Sequence, residues 1–360
     1  MVELTIDLAK SVPPVLAVGA LLNNTVCATK GEQAFISPLL GDLHRQEDFA
    51  RFERTIERMC LHLEVAPRLV AHDLHPDLPS TRFALACGIQ PLAVQHHHAH
   101  IAAVAAENGH LGPLIGVALD GFGLGPAEEA WGGELLFVEG PDFVRLGNLA
   151  LLPQPGGDAA IREPWRMAGA VLWRIGRGGE IPLRFADQKA AGFLTSTLER
   201  GGFLETSSCG RLFDAACGLL GIHPTVKREG DGPKALERLV SRPKVMQGGW
   251  RITGGTLDLL PLLGGIADCS PQEGADLFHG TLIAAVADWV TQAAAENGLT
   301  GIALAGGCFT NRVLTSGLVA ALTENGLTPI LPRRLSPGDS ALSLGQAWIA
   351  GLTALRYEHA

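Results

Sequence analysis

The 360-residue sequence lacks the features that mark secreted, membrane-spanning and zinc-ribbon proteins. Its seven cysteines are scattered and never occur as C-x-x-C, which argues against a disulfide framework and against a cysteine-based zinc ribbon. No apolar run approaches the roughly 20 residues that a membrane-spanning helix needs. The start, "MVELTIDLAKSVPP", has no apolar segment of signal-peptide length. We therefore predict reduced thiols in a cytoplasmic protein with no membrane partner.

Concentrated positive charge is also missing. The formal net charge is −9, and no run of lysine and arginine occurs anywhere in the chain. A nucleic-acid surface needs a basic patch, so the sequence predicts no nucleic-acid partner. The length suffices for one large α/β domain or two lobes with a sizeable core.

The familiar nucleotide and nucleophile motifs are absent as well. Neither the P-loop pattern G-x-x-x-x-G-K-[ST] nor the Rossmann pattern G-x-G-x-x-G occurs. No serine, cysteine or lysine stands in a G-x-S-x-G or S-x-x-K frame around a plausible nucleophile. If the chain is a transferase, we expect the acceptor to bring its own nucleophile.

Apolar runs that end in glycine dominate what is present. "VLAVGALLNNTVCATKGEQAFIS" predicts a hairpin around Asn23 and Asn24, and "LIGVALDGFGLG" with "AWGGELLFVEG" predicts a second one. Near the C-terminus, "GIALAGGCFTNRVLTSGLVAALTENG" predicts a strand, a Gly-Gly turn and a helix, and another strand and helix follow. This pattern favours a duplicated α/β architecture with a cleft between two lobes. We assign 1–112 with 330–360 to the first lobe and 113–329 to the second.

Four histidines crowd into the five positions of "HHHAH". A helix that begins near Gln95 would bring His96 and His100 onto one face, because residues four apart are neighbours on a helix. The pair is either a metal-binding platform or a hydrogen-bonded helix entrance, and four histidines together favour the metal. His97 and His98 would point elsewhere. Position 97 is not glutamate, so the H-E-x-x-H metalloprotease pattern fails.

Two aspartates could complete a metal site with these histidines. Asp120 ends the apolar strand "LIGVALD", where a turn former is the alternative, and Asp339 begins the last helix, where an N-cap is the alternative. Two histidines and two aspartates form a mixed nitrogen and oxygen set that suits zinc or ferrous iron. A third acidic stretch, "AHDLHPDLPSTRFA" with Asp73, His75 and Asp77, is better interpreted as a solvated, proline-braced loop than as a metal cluster.

Three further stretches leave their alternatives open. The turns "DGFGLG" (120–125) and "AGGCFTN" (305–311) each follow an apolar strand, and each is either a phosphate cradle or a tight turn. Asp214 lies in the helical pattern "SSCGRLFDAACGLLGI". Its carboxylate is either a cap on an exposed face or a ligand for sugar hydroxyls.

Taken together, these stretches resemble the HypF family, which carries out the carbamoyl transfer of [NiFe]-hydrogenase maturation. "VQHHHAHIAAVAAENG", "LDGFGLG", "WGGEL", "PGGDAAIREPWRMA", "SSCGRLFDA", "AHDLHPDLPSTR" and "GALLNNTVCATKGEQAFISPLLGDL" carry the resemblance, in family order. It is restricted to the family's C-terminal transferase domain, which is similar to tRNA threonylcarbamoyl transferase. The resemblance implies a two-lobed actin/Hsp70-like (ASKHA) α/β fold with duplicated mixed sheets and a nucleotide cleft.

The resemblance also implies a reaction. Carbamoyl phosphate and ATP form carbamoyl adenylate in a YrdC-like domain, and the transferase domain passes the carbamoyl group to the C-terminal cysteine thiol of HypE. The acylphosphatase-like, zinc-motif and YrdC-like domains of the family have no counterpart in these 360 residues. We therefore expect a YrdC-like domain or protein to supply the adenylate. Two alternatives remain: a tRNA threonylcarbamoyl transferase, and a nucleotide-binding scaffold of the maturation complex that transfers nothing.

Site residues follow from the family pattern. The implied cofactors are one divalent metal, zinc or iron, and ATP, AMP or carbamoyl adenylate, with Mg²⁺ as a further candidate. The metal ligands would be His96, His100, Asp120 and Asp339. The nucleotide contacts would be Gly121, Gly123, Asp214, Glu229, Gly306, Gly307 and Asn311.

Overall fold

Two β-sheets organise the chain in this computed structural model, which describes residues 2–228 and 230–358. The strands of the first sheet are β1 (Leu4–Val12), β2 (Val15–Ala17), β3 (Cys27–Ile36), β4 (Leu69–Asp73) and β5 (Gln90–Val94). The strands of the second are β6 (Leu114–Leu124), β7 (Ala130–Glu139), β8 (Asp142–Leu149), β9 (Leu152–Gln154), β10 (Leu204–Thr206), β11 (Arg251–Thr253), β12 (Thr256–Asp258), β13 (Gly301–Ala305) and β14 (Thr328–Ile330).

The first sheet has the strand order β1-β3-β2-β4-β5. β2 and β3 pair antiparallel, so the hairpin predicted around Asn23 and Asn24 is confirmed. Asn23 has a φ of 49°, a left-handed conformation that asparagine tolerates better than most residues. β2, β4 and β5 run parallel, so their carboxyl ends meet at one edge of the sheet.

The second sheet has the order β11-β12-β8-β7-β6-β13-β14, with β9 and β10 at its side. β6 and β7 form the second predicted hairpin, and β13 runs parallel to β6. The apolar sequence of β6 reflects its central place, because a strand covered on both faces reads as a continuous hydrophobic run. The expectation that this strand ends at Asp120 is wrong. β6 continues to Leu124, and its register with β7 shifts between Leu119 and Gly123.

Helices cover both sheets. They are α1 (Gln46–Leu63), α2 (Pro79–Ala86), α3 (His96–Glu107), α4 (Ala159–Arg162), α5 (Trp165–Arg174), α6 (Ile181–Arg184), α7 (Ala191–Arg200), α8 (Cys209–Leu219), α9 (Asp231–Arg238), α10 (Leu260–Ile266), α11 (Pro271–Asn297), α12 (Arg312–Glu324) and α13 (Leu342–Glu358). Across residues 2–228 and 230–358, no helix combines the length and the apolar content needed to cross a bilayer.

Helix α3 lies between the two halves of the molecule. It begins after Gln95 as predicted and ends at Glu107, with Asn108 as its C-cap before Gly109, whose φ is +65°. Small apolar residues lie on every face of α3, which is typical of a helix that is buried on every side. One side packs on α13, which returns to cover the first sheet, and another side packs on β6 and β13. Gly345 of α13 allows the close approach of the two helices, because a Cβ there would lie 1.8 Å from the Ala99 carbonyl oxygen.

Candidate metal centre

The two histidines four apart on α3 face the same point. Gln95 caps the helix, because its side-chain oxygen accepts a hydrogen bond from the backbone N–H of His98. The rings of His96 and His100 are 4.9 Å apart between centroids, and both side chains are buried. His97 and His98 point elsewhere, as predicted. They pack against Trp131 and Phe143 respectively, at centroid distances of 6.3 and 4.8 Å.

Two carboxylates converge on the same point from other elements. Oδ2 of Asp120 lies 3.3 Å from Nε2 of His96 and 3.2 Å from Nε2 of His100. Oδ1 of Asp339 lies 3.7 and 3.5 Å from the same two nitrogens. One ligand atom from each of the four residues falls within 4.8 Å of the others. Asp339 does not act as a helix N-cap here, because it is the first residue of a 3₁₀ turn and its carboxylate faces the histidines.

The bonding of these atoms fits a cation. Nε2 of His96 and Nε2 of His100 are buried and have no hydrogen-bond partner among the residues that the structure describes. Their contacts with the carboxylates lie within ion-pair range but lack hydrogen-bond geometry. Two imidazole nitrogens and two carboxylate oxygens are ligands that zinc and ferrous iron accept. The donor set therefore fits the divalent metal that the sequence predicts.

Charge pairing dominates the electrostatics of the cluster. Burial disfavours the protonated form of His96, but Asp73, Asp120 and Asp339 outweigh burial and hold the pKa of His96 well above its ordinary value. The pKa of His100 is also raised against burial, by Asp120 and Asp339. The two histidines in turn outweigh burial at Asp120 and keep its pKa well below the ordinary value. The site thus stabilises positive charge, which a proton or a metal cation can supply.

Asp73 is the site residue that the sequence interpretation missed. It is the last residue of β4 and is 1 % exposed, so the expectation of a solvated loop is wrong for it. Its Oδ2 lies 2.7 Å from Nδ1 of His96. The sheet topology could have indicated Asp73. β4 runs parallel to β5, which leads directly into α3, and parallel strands end at the same edge of a sheet. His75 is half-buried and Asp77 is exposed, as the loop interpretation expected.

The two glycine segments predicted as turns both lie against Asp120, but the prediction of a turn is wrong for 120–125, because Asp120 to Leu124 belong to β6. Gly121 and Gly123 follow Asp120 within β6, and a Cβ at Gly123 would lie 2.6 Å from the His97 ring. Gly306 has a φ of +103°, and a Cβ there would lie 2.3 Å from the Leu119 carbonyl oxygen. The backbone N–H of Gly307 donates to Oδ1 of Asp120 at 2.9 Å. The segments Asp120-Gly121 and Gly306-Gly307 are therefore neighbours in the structure, and both lie beside the proposed metal ligands.

The remaining predicted nucleotide residues occupy different surroundings. Asp214 is buried within α8 and accepts a hydrogen bond from Nε of Arg211 at 2.7 Å, so a cap on an exposed face is excluded. Asn311 is buried at the start of α12, where its side-chain oxygen accepts from the backbone N–H of Leu314. Its Nδ2 donates to Nε2 of His279 at 2.9 Å. Glu229 lies outside the described residues.

Known families match this chain along most of its length. The family "HypF Kae1-like domain" matches residues 10–107, and the family "Carbamoyltransferase, Kae1-like Domain, second subdomain" matches residues 116–346. Carbamoyltransferase HypF2 of Cupriavidus necator is 45% identical over 96% of this chain and 47% of its own length. A carbamoyltransferase HypF homolog of the same organism is 42% identical over 94% of this chain and 91% of its own length.

A solved structure gives the same fold. The crystal structure of full-length HypF in the phosphate- and nucleotide-bound form superposes with a TM-score of 0.90, at 31% identity, over 96% of this chain and 56% of that chain. The predicted two-lobed, actin/Hsp70-like α/β fold is therefore confirmed. The chain spans about half the length of HypF2 and of this full-length HypF.

Proposed function

Because this chain belongs to the HypF carbamoyltransferase family, we propose that it carries out a carbamoyl transfer in [NiFe]-hydrogenase maturation. The donor is carbamoyl adenylate, made from carbamoyl phosphate and ATP, and the acceptor is the C-terminal cysteine thiol of HypE. The product serves the synthesis of the cyanide ligands. The observation that carries the proposal is the convergence of His96, His100, Asp120 and Asp339 beside the glycines of β6 and the Gly306-Gly307 turn.

We propose that these four side chains hold one zinc or iron ion. When bound, such an ion supplies a Lewis acid that polarises a carbonyl or phosphate oxygen. Asp339 is the most exposed of the four, with 31% of its side chain accessible, so a substrate would approach from its side. His100, with none of its side chain accessible, lies at the closed end.

The chain itself supplies groups for the nucleotide. Backbone N–H groups at turns and helix starts bind phosphate oxygens well. Gly121, Gly123, Gly306 and Gly307 place backbone against Asp120, where the N–H of Gly306 donates to the Pro337 carbonyl and that of Gly307 to Asp120. Gly210, at the start of α8, lies close to Gly121, because a Cβ at Gly210 would be 3.0 Å from the Cα of Gly121. We propose that these segments hold the phosphate of the adenylate and stabilise AMP as it leaves, with Mg²⁺ as a further candidate in this region. Asp214, Glu229 and Asn311 stay predicted nucleotide contacts.

The nucleophile comes from the partner. Its thiolate sulfur forms a bond to the carbamoyl carbon, the bond from that carbon to the AMP oxygen breaks, and AMP leaves with the electron pair. The thiol of Cys308, which follows Gly307 in the chain, does not suit that role. Cys209 lies beside Cys308, and this contact together with burial raises the pKa of Cys308 well above the ordinary thiol value, which keeps it protonated.

In this proposal both lobes contribute metal ligands, and a separate domain or protein makes the adenylate. We propose that 1–112 with 330–360 forms the first lobe and 113–329 the second, so that α3 and Asp339 from the first meet Asp120 from the second. A YrdC-like domain or protein makes the adenylate, and the reaction takes place in the cytoplasm. The formal charge of −9 favours HypE over tRNA as the acceptor.

Intact-mass measurement of HypE tests the transfer directly. HypE is incubated with this chain, ATP and carbamoyl phosphate, with and without an added YrdC-like protein. We expect a carbamoyl adduct on HypE only when the YrdC-like protein is present, and none with the variant His100→Ala. The matched variant His44→Ala, at a side chain that is 65% exposed, should transfer normally. No adduct in any mixture, from folded and metal-loaded protein, would contradict the proposal and favour the scaffold alternative.

A further inference from the structure

We propose that Asp73 is a positioning residue that fixes the ring of His96 for metal binding. This inference rests on the proposed metal site and deepens it. Oδ2 of Asp73 is 2.7 Å from Nδ1 of His96, and the two side chains are 2% and 7% exposed. The contact joins the end of β4 to the first turn of α3 inside the protein.

Asp73 is itself held in place by its own segment. Its Oδ1 accepts a hydrogen bond from the backbone N–H of His75 at 2.9 Å. Its carbonyl oxygen accepts from Nδ1 of His72 at 2.8 Å and from the hydroxyl of Thr81 at 3.3 Å. One carboxylate oxygen therefore closes the turn after β4, and the other is directed at His96. This assigns a role to the "HDLHPD" stretch beyond closing a turn.

The contact determines which nitrogen of His96 is available to a metal. An ionised carboxylate only accepts hydrogen bonds, so Nδ1 of His96 must carry the proton. In the neutral ring that binds a metal, Nε2 then has a free lone pair, and it faces Asp120 and Asp339. A histidine that donates its second N–H to a carboxylate is oriented and made a stronger ligand. Nδ1 of His100 has no hydrogen-bond partner within the described part of the chain. A carboxylate therefore orients the ring of His96 but not that of His100.

An asparagine at position 73 would disturb this arrangement with little change in size. Its side chain has one oxygen and one NH₂ group, but both partners, His75 N–H and His96 Nδ1–H, need an acceptor. If the NH₂ group faces His96, Nδ1 becomes the acceptor and the proton moves to Nε2, which then cannot bind a metal. If the oxygen faces His96, the bond survives but the negative charge is lost. Either orientation weakens metal binding.

The test is the Zn²⁺ affinity of the full chain, measured by competition with a chromophoric chelator. We expect Asp73→Asn to lower the affinity about 10- to 100-fold, the usual range for loss of such a partner. The matched control is Asp77→Asn, which removes an exposed carboxylate paired with Arg82 four residues along the same segment. It should leave the affinity unchanged. Equal affinities for Asp73→Asn, Asp77→Asn and the unaltered chain would overturn the role of Asp73 but leave the metal site intact.

A second measurement needs no variant at position 73 and covers the case in which Asp73→Asn does not fold. In the ¹⁵N spectrum of the zinc-loaded chain, assigned with His96→Gln, we expect His96 to show a protonated Nδ1 and a metal-bound Nε2. Zinc on Nδ1, or an unprotonated Nδ1, would refute the assignment. Absence of Zn²⁺ binding by the unaltered chain would be a different result, because it would refute the proposed metal site itself.

Discussion

The contact between α3 and α13 provides a sharp test of how the fold positions the site. Gly345 of α13 packs directly on the backbone of α3, against Ala99 and Ala103. In the variant Gly345→Ala, the new Cβ would lie 1.8 Å from the Ala99 carbonyl oxygen and 2.9 Å from the Ala103 nitrogen. These obstacles are backbone atoms, so no side-chain rotation can relieve the overlap.

The magnitude follows from these distances. Ordinary contact begins near 3.4 Å, so the helices must separate by about 1.6 Å or bend, in an interior packed as densely as a crystal. Overpacking of this kind costs about 1–3 kcal/mol, and the backbone contact favours the upper end. Alanine returns about 1 kcal/mol because it is a better helix former than glycine. We expect a net loss of about 2 kcal/mol in the free energy of unfolding.

Urea unfolding followed by circular dichroism measures this change, with Gly264→Ala as the matched control. Gly264 is also inside a helix, but a Cβ there meets only Ile175 at an ordinary 3.7 Å, so this variant should be stabilised by up to about 1 kcal/mol. Zn²⁺ affinity should fall in Gly345→Ala and not in Gly264→Ala, because α3 carries two of the proposed ligands. If Gly345→Ala were as stable as the control, the packing argument would be refuted.

Two further predictions concern groups away from the metal ligands. Burial lowers the pKa of His279, whose Nε2 already accepts from Asn311. A lowered folded pKa means that its contribution to stability is complete above about pH 6.5 and is lost as the pH falls, by up to about 1.4 kcal/mol per pH unit. His279→Gln should remove that part of the pH dependence of the unfolding free energy, measured by urea titrations between pH 7 and 5. An unchanged pH dependence would show that His279 is not its source. Glu134 is fully buried and pairs with Arg145, so Glu134→Gln should cost about 3 kcal/mol in unfolding free energy. Asp142→Asn breaks an exposed pair and should cost less than about 1 kcal/mol, and equal losses would show that burial does not set the difference.

Much of the local structure could be predicted because its causes are local. Gln95 before the histidines and Asn108-Gly109 after them mark the ends of α3, and spacing alone places His96 and His100 on one face. The two hairpins follow from apolar runs around polar or glycine turns. These features depend on backbone geometry within a few residues, which the order of residue types specifies directly.

Other features were decided only when distant segments packed. Asp73 reads as a solvated loop residue, but the parallel pairing of β4 with β5 buries it against His96. Asp120 reads as a strand end, whereas β6 continues past it and the Gly306-Gly307 turn reaches it from almost 190 residues away. Sequence periodicity carries no information about which buried surfaces meet. Residue type and spacing therefore determined the candidate ligands, and the packing of the two sheets around α3 determined which carboxylates reach them.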